Sequence, residues 1–445
     1  MKTSAMLLVL ALCISLCPAA PGSGIFEVRQ CGAKGDGKTL DTVAIQAALD
    51  ACGKAGGGTV HFTAGTYLSQ PITVHTKTTV LLETGATLLA SPTQSDFLKG
   101  GGDWLAAKSS DDFIPFVSGK NLTDIAITGK GTIDGNGANW WGPAKEFRAR
   151  NPSCPALPRL DLVVLNNCRN VHLAGVKLIN SPRAHLVLAD CEEVAIEDVT
   201  VRSPAGAANT EGMGPDDCRN VTITRCTIDT GDDNIAITSG KKVAGREFGS
   251  ENITVTGCDF LHGHGMSIGS TTVGGVHHVV VKNCRFENTD NGLRIKSGRD
   301  RGGLVEDVSY SDITMKNVHP AISIVCYYQY STNDKFPKND RAQPISETTP
   351  RVRNVYISNV TATCTQDAGL IVGLPESLVS NVVLENVRVT AETGFTIRNA
   401  KGIQFKNSTI SVKAGPRFSA ENAEIAGLEN QNNITQPSNK SKGRM

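Results

Sequence analysis

The chain has 445 residues and is nearly neutral, with 44 Lys and Arg residues against 43 Asp and Glu residues. A general binder of nucleic acid or of membrane surfaces needs a basic excess, so this balance disfavours both classes. The 40% of hydrophobic residues excludes a chain that is disordered throughout. We therefore expect a folded protein without a nucleic-acid partner.

The first residues have the pattern of an export signal. Lys2 precedes an apolar run from Met6 to Cys17, and small residues follow up to Ser23. We expect residues 1–22 to be a signal peptide and the protein to be secreted or periplasmic. No later segment reaches the roughly 20 apolar residues that a membrane-spanning helix needs, so no membrane partner is expected after signal removal.

A short helix is predicted near the start of the mature chain. Apolar residues recur at helical spacing between residues 41 and 52 and share one face: Ala44, Ile45, Ala48 and Leu49. A repeat structure exposes its core at its end, and such a helix would cover it.

The thirteen cysteines contain no Cys-x-x-Cys pair, so a zinc cluster is not predicted. Most of them read as small buried residues that stack in a repeat. Cys31 and Cys52 are a candidate disulfide, which export would permit.

From about residue 165, a segment of alternating apolar and polar residues recurs. Its copies begin at Asn170, Glu193, Asn220, Asn252, His278, Asp307, Asn354, Asn381 and Gly402. Alternation predicts half-buried strands, and a step of about 20–30 residues predicts a solenoid. One longer step contains an insertion at about 327–350. The predicted fold is all-β, a single-domain parallel β-helix over residues 23–426 with a polar, disordered tail over 427–445; a β-sandwich is the less consistent alternative.

Polar residues interrupt the alternation at one place in consecutive repeats. When the strands that follow are aligned, Glu211, Asp233, His264 and Asn291 fall in one column. Neighbouring strands lie about 4.8 Å apart, so these side chains are expected within reach of one another. Arg294 and Lys296 are two positions apart, so their side chains share one face of a strand and join this group. Asp232, which directly precedes Asp233, belongs to it as well.

This constellation suits acid/base chemistry on an anionic sugar. Carboxyl groups at such short distances resist being ionised at the same time, so one of them should keep its proton near neutral pH. An acid and a base side by side are what glycoside hydrolysis requires. Arg294 and Lys296 would bind a sugar carboxylate, and Arg299 and Arg301 could extend the positive lining.

The motifs resemble those of glycoside hydrolase family 28, the polygalacturonase family of right-handed parallel β-helices. They stand here as Asn209-Thr210-Glu211, Gly231-Asp232-Asp233, Gly263-His264-Gly265 and Arg294-Ile295-Lys296. The resemblance covers nearly the whole mature chain. It implies inverting hydrolysis of galacturonate-containing polysaccharide by a monomer that needs no cofactor and no metal.

The same resemblance implies a role for each residue. Asp232 would be the general acid, Asp233 and Glu211 would hold and activate a water, and His264 would tune the protonation of the acid. Arg294 and Lys296 would bind the substrate carboxylate.

Two further residues complete the substrate-binding set that the resemblance implies. They are Asn209 and a tyrosine after the Arg-Ile-Lys motif, for which Tyr328 is favoured and Tyr327 is the other candidate.

Glu211 departs from the family, which has Asp at this position. Its extra methylene narrows or shifts the space that an inverting enzyme keeps for a water. Activity is then either retained with shifted specificity or much reduced; we favour retention, since the other motif residues match.

Two other functions stay open at this point. A pectate-lyase-like enzyme would use calcium, which acidic clusters can bind, for β-elimination. A non-catalytic carbohydrate-binding solenoid would bind oligosaccharide without releasing product. His185, one repeat upstream, either touches the substrate or is structural.

Overall fold

The computed structural model describes residues 24–151, 157–242, 244–328, 336–337, 340–427 and 434–435. The predicted signal peptide at 1–22 lies outside these residues. Of the predicted tail, Gly427 and the two-residue strand Ile434–Thr435 are described.

The N-terminal elements comprise ten strands and one helix. In chain order they are β1 (Ile25–Glu27), β2 (Asp36–Leu40), α1 (Thr42–Lys54), β3 (Gly58–Phe62), β4 (Gly65–Ser69), β5 (Ile72–Thr73), β6 (Thr78–Leu82), β7 (Ala86–Ala90), β8 (Val117–Lys120), β9 (Thr123–Gly129) and β10 (Thr132–Asp134). Three short 3-10 turns lie between β7 and β8, at Gln94–Phe97, Trp104–Ala106 and Ser110–Asp112.

A second helix and the regular part of the repeat follow. The elements are α2 (Ala138–Arg150), β11 (Val163–Asn166), β12 (Arg169–Ala174), β13 (Lys177–Ile179), β14 (Leu186–Ala189), β15 (Glu192–Glu197), β16 (Thr200–Arg202), β17 (Met213–Asp216), β18 (Arg219–Thr224), β19 (Thr227–Asp229), β20 (Ile235–Ser239), β21 (Ser250–Thr256), β22 (Asp259–Phe260), β23 (Met266–Thr272), β24 (Val276–Lys282), β25 (Arg285–Glu287) and β26 (Leu293–Lys296).

Longer strands form the C-terminal part. They are β27 (Leu304–Val318), β28 (Ile322–Val325), β29 (Arg351–Cys364), β30 (Asp367–Val372), β31 (Val379–Ala391), β32 (Thr393–Lys406), β33 (Thr409–Val412), β34 (Phe418–Ala426) and β35 (Ile434–Thr435).

The strands stack into three parallel sheets, so the predicted right-handed parallel β-helix is confirmed. Sheet A contains β8, β11, β14, β17, β20, β23, β26, β28, β30, β32 and β34, each paired in parallel with the next. Sheet B runs from β9 through β12, β15, β18, β21 and β24, and sheet C from β10 through β13, β16, β19 and β22. Inward Val, Ile, Leu and Phe side chains of all three sheets fill one continuous core.

The recurrent first residue of each repeat has a conformational reason. Asn170, Asn220, Asn252 and Asn354 have φ between 55° and 56°, the left-handed region that Asn tolerates better than most residues. Their amides also bond from rung to rung, as where Asn252 Nδ2 donates to Asn220 Oδ1 at 3.0 Å. The sequence repeat therefore marks a corner of each coil.

The helix α1 is the predicted N-terminal cap. Its buried face consists of Ile45, Ala48, Leu49 and Cys52, which pack on the first coils, while Ala44 is half-buried. Cys52 is a free thiol whose Sγ lies 3.6 Å from Thr78 Oγ1, so the candidate Cys31–Cys52 disulfide is wrong. The helix turns Cys52 into the core, where it packs as an apolar residue.

The prediction that cysteines stack inside the repeat is confirmed. Cys168, Cys191 and Cys218 are buried on successive rungs, and Cys226, Cys258 and Cys284 form a second buried column. Their thiols bond to backbone carbonyls, as where Cys191 Sγ donates to Leu165 O at 3.4 Å.

The helix α2 is not predicted by the sequence pattern. Only Trp140 and Ala144 are buried in it, too few to produce an apolar stripe. Trp140 packs edge-on against Trp104 at 4.9 Å and Phe113 at 5.8 Å, which fixes α2 beside sheet A. Among the described residues, no helix has the length and apolarity needed to cross a bilayer.

A comparison of two substitutions tests the corner geometry. Because the backbone of Asn252 is in the left-handed region, the Asn252→Ala protein should be less stable than the Asn252→Gly protein by about 1 kcal/mol. Both variants lose the amide hydrogen bonds between rungs. Thr254, extended on the same strand, is the control, and there Gly should be the less stable residue. Urea unfolding midpoints measure both pairs; an Asn252→Ala protein at least as stable as Asn252→Gly would contradict the explanation.

Candidate active site

The start of each sheet A strand carries one polar residue of the site. Parallel register pairs Met213 with Ile235, Ile235 with Met266 and Met266 with Leu293. The residues two positions earlier therefore stack in one column: Glu211, Asp233, His264 and Asn291. The predicted column is confirmed, because these strands begin in register and the one shift in the β20–β23 pairing comes only after Ile237.

Asp232 is held by three donors. Its Oδ1 accepts the backbone N–H of Asp233 at 2.8 Å and lies 3.1 Å from His264 Nδ1, while its Oδ2 accepts from Asn209 Nδ2 at 3.2 Å. Burial alone would raise the pKa of Asp232, but the bond to His264 and the charges of His264 and Lys296 outweigh it and lower the pKa. The free protein therefore holds Asp232 as a carboxylate.

Asp233 is a buried carboxylate paired with cations. Lys296 Nζ donates to its Oδ2 at 2.5 Å, Ser267 Oγ donates to its Oδ1 at 2.8 Å, and Arg294 Nη1 lies 3.8 Å away. Asp233 is 4% exposed, so these partners compensate a charge that has lost most of its water.

Glu211 holds the proton that the sequence places on one of the carboxyls. Burial and, after it, the charge of Asp232 together raise the pKa of Glu211 to about 8, although the charge of Arg183 acts in the opposite direction. Its Oε2 is buried without a hydrogen-bond partner among the described residues. A neutral carboxyl tolerates such a position better than a carboxylate does.

His264 links the two aspartates. Its Nδ1 lies 3.1 Å from Asp232 Oδ1 and 3.9 Å from Asp233 Oδ1, and its Nε2 lies 3.4 Å from Asp290 Oδ2. Burial opposes its protonation, but the bond to Asp232 and the charges of both aspartates raise the pKa of His264. An imidazolium is therefore favoured beside Asp232.

The cationic side of the site is formed by Arg294 and Lys296. Both point outward from β26, while Ile295 between them faces the core. The ring of Tyr328 lies 5.4 Å from the Arg294 guanidinium and 5.1 Å from Lys296 Nζ. Tyr327 instead is buried, and its hydroxyl donates to Asp340 at 2.7 Å, so Tyr328 is the tyrosine that faces the site.

These side chains line an open cleft of about 500 Å³ on sheet A. Its walls include Asn209, Glu211, Asp232, Asp233, His264, Arg294, Lys296 and Tyr328. All eight residues predicted for the site are thus brought together. Arg148 of α2 also lines this cleft and a neighbouring cavity of about 530 Å³.

Two arginines considered from the sequence lie outside the cleft. Arg299 is paired with Glu376 at 2.6 Å and Asp340 at 2.5 Å, and Arg301 is paired with Asp300. The expected extension of the positive lining by these two arginines is therefore wrong, because acidic partners neutralise both and neither lines the cleft.

His185 has a structural role. It lies one rung upstream of Glu211, in register with Gly212 and so one position out of the column; it is fully buried, and its Nδ1 lies 2.9 Å from the carbonyl oxygen of Glu211. Burial lowers the pKa of His185 to about 4, although its backbone partners act in the opposite direction. It is a neutral core histidine that supports the backbone of the site.

The sequence analysis assigned no site role to three contributors: Arg148, Ser267 and Arg159, whose Nη2 donates to Asn209 Oδ1 at 2.9 Å. Ser267 precedes the core residue Ile268 on β23, and its alternation signal is that of any outward residue. Arg148 and Arg159 lie outside the repeat, so no periodicity marks them. A basic residue close to the rungs that carry the motifs can be recognised as part of the site only when the fold is known.

Asp232, Asp233 and His264 bring one ligand atom each within 4.8 Å of one another, which is close enough to bind a metal ion. Lys296 Nζ, however, lies 2.5 Å from Asp233. An ammonium at this oxygen competes with a divalent cation, so the donor set fits a charge-paired carboxylate better than a metal centre.

Comparison with known proteins identifies the family. The model of the glycosyl hydrolases family 28 matches residues 52–413. The chain belongs to this family. As a family 28 protein it is a glycoside hydrolase.

Individual relatives agree with this assignment. The chain is 32% identical over 378 residues to an endo-polygalacturonase of Pectobacterium parmentieri. The aligned region covers 82% of this chain and 88% of that protein. The solved polygalacturonase of Erwinia carotovora ssp. carotovora superposes with a TM-score of 0.67 at 28% identity, over 95% of this chain and 98% of that one. A family 28 exopolygalacturonase of Yersinia enterocolitica has the same fold, with a TM-score of 0.76 at 22% identity over 91% of this chain and 78% of that one.

The protonation of Glu211 predicts how this family 28 hydrolase responds to pH. Because the pKa of Glu211 is raised in the folded protein, its protonated carboxyl contributes to the stability of the fold at low pH. This contribution is lost as the pH rises through about 8. Glu211→Gln, which mimics the protonated form, should gain stability relative to the unchanged protein between pH 5 and 8. One pKa unit corresponds to about 1.4 kcal/mol, so we expect a gain on the order of 1–3 kcal/mol.

Thermal or urea unfolding at several pH values measures this gain. Glu197, an exposed glutamate whose pKa is lowered by its bonds to His172 and Arg225, is the control. Glu197→Gln should show no gain as the pH rises. A pH-independent effect of Glu211→Gln would contradict a protonated Glu211.

Proposed function

We propose that this protein is an exported hydrolase that cleaves glycosidic bonds in galacturonate-containing pectic polysaccharide by inverting acid/base hydrolysis. The names of its relatives, endo-polygalacturonase among them, support the substrate class. The observation that carries the proposal is the cluster of three carboxyls beside Arg294 and Lys296 in one cleft. Export rests on the pattern of residues 1–22.

In this mechanism Asp232 donates a proton to the leaving glycosidic oxygen. Asp232 is ionised in the free protein, so it must first gain a proton. Two neighbours can supply one: His264, 3.1 Å from its Oδ1, and Glu211, whose carboxyl is protonated near neutral pH. Substrate binding excludes water from the cleft and so favours the neutral acid.

Asp233 positions and deprotonates the attacking water. The bonds from Lys296 and Ser267 hold its carboxylate in one orientation, which is the preorganisation that a general base requires. Glu211 shares this water through its carboxyl. Direct attack by water from the face opposite the leaving group inverts the anomeric carbon.

Arg294 and Lys296 recognise the carboxylate of the sugar. Both are more than 90% buried, and Tyr328 covers them from the cleft side. A galacturonate carboxylate brings a second anion to cations that already neutralise Asp233, and Arg can bind it through two parallel bonds. A neutral sugar offers no such partner.

Product analysis of polygalacturonate digests tests the reaction. Hydrolysis should release reducing ends without ultraviolet-absorbing unsaturated ends, and the first product should carry the inverted anomeric configuration. Asp232→Asn should lower kcat by about 100- to 10,000-fold, because it removes the acid, while the circular dichroism spectrum stays unchanged. Unsaturated ends that disappear with a chelator would instead establish calcium-dependent elimination.

Arg148 is expected to contribute to substrate binding from α2. It lines the same cleft as the Arg-Ile-Lys motif, whereas Arg150 on the same helix is paired with Glu146 at 2.8 Å. Arg148→Gln should raise KM for polygalacturonate about tenfold, the value of one charged hydrogen bond. The effect should shrink on methyl-esterified pectin, and the matched control Arg150→Gln should leave KM unchanged; equal effects of the two variants would exclude a direct role.

A further inference from the structure

A buried arginine lies directly behind the proposed acid. Arg159 is 1% exposed, which is rare for this residue type. Its Nη1 donates to the carbonyl of Ala208 at 3.0 Å, its Nε donates to that of Leu157 at 3.2 Å, and its Nη2 donates to Oδ1 of Asn209 at 2.9 Å. A desolvated guanidinium needs acceptors on every side, and one of those acceptors belongs to the first sequence motif.

The contact with Arg159 determines which way the Asn209 amide faces. A guanidinium has only donors, so the amide must turn its oxygen toward Arg159. Its nitrogen then points the other way and donates to Oδ2 of Asp232 at 3.2 Å. Without the guanidinium, nothing in this arrangement stops the amide from rotating by half a turn, because its oxygen and nitrogen occupy nearly the same space.

The orientation of this amide matters because of how Asp232 is bonded. Its Oδ1 is engaged by the Asp233 N–H and by His264. Among the described residues, Oδ2 accepts a hydrogen bond from Asn209 alone, so a lone pair remains there for the proton that goes to the glycosidic oxygen. An amide N–H beside Oδ2 leaves that proton to the substrate. An amide oxygen in the same place would accept the proton itself.

We propose that Arg159 is a positioning residue for the hydrolytic reaction, which acts by holding the Asn209 amide with its nitrogen toward Oδ2 of Asp232. The inference rests on the proposed function, in which Asp232 is the acid. Arg159 itself touches neither the sugar nor the reacting atoms. Its effect reaches the reaction through one hydrogen bond to Asn209 and one from Asn209 to Asp232.

Steady-state kinetics on polygalacturonate test this relay. Arg159→Met should lower kcat about 10- to 100-fold with little change in KM, because the acid is misoriented while sugar recognition is intact. Asn209→Ala should cause a fall of similar size. The double variant should be no slower than the slower single variant, since both changes break one pathway.

A pH profile separates positioning from a merely structural role. Loss of an N–H donor raises the pKa of a carboxyl, so the alkaline limb of kcat should move to higher pH in Arg159→Met. Arg246, which bonds to Glu192 and to the carbonyl of Asp217 away from the cleft, is the matched control. Arg246→Met should lower stability at most and leave the kcat profile in place.

The outcomes are distinct. If Arg159→Met does not fold, Arg159→Lys gives the same test, because its ammonium keeps the buried charge but cannot hold three separate acceptors. The proposal would be overturned if the reductions in kcat of the two single variants multiplied in the double variant. It would also be overturned if the Arg159 variant kept the kcat and the pH profile of the unchanged protein. Absence of hydrolysis by the unchanged protein would instead overturn the proposed function.

Discussion

The in-register pairing of parallel strands in sheet A is the constraint on which the site depends. Glu211, Asp233, His264 and Asn291 are separated by 22 to 31 residues in sequence, and only the ladder of backbone hydrogen bonds brings them into one line. A slip of one residue would turn the column into the core and expose the apolar residues beside it. Function and folding therefore rely on the same register, and a mutation that loosens one weakens the other.

Stacking acidic residues on adjacent rungs creates an electrostatic problem that the fold solves in three ways. Lys296 and Arg294 approach Asp233 from β26, two strands further along sheet A. His264 neutralises Asp232. Glu211 keeps its proton, because burial and the neighbouring aspartate raise its pKa. The result is a site in which three carboxyls stand close together but differ in protonation, and such a difference is what acid and base roles require.

The glutamate at position 211 is where this chain departs from the family's pattern. Its carboxyl lies within the influence of the pair formed by Asp161 and Arg183, as well as that of Asp232. Burial and the charge of Asp232 favour the protonated state, whereas the charge of Arg183 opposes it more strongly than that of Asp161 supports it. In this chain the glutamate at 211 holds a proton in the free protein, and the other motif side chains keep their contacts with one another.

The sequence determined the β-helix, the N-terminal cap and the column of site residues, because alternation and a constant step are local properties that repeat from coil to coil. It did not reveal α2, whose two buried side chains leave no periodic pattern. It also did not reveal that Arg299 and Arg301 are neutralised, or that Arg159 reaches Asn209 across 50 residues. Those contacts are made by segments outside the repeat, and only the tertiary structure decides how such segments fold back onto the coils.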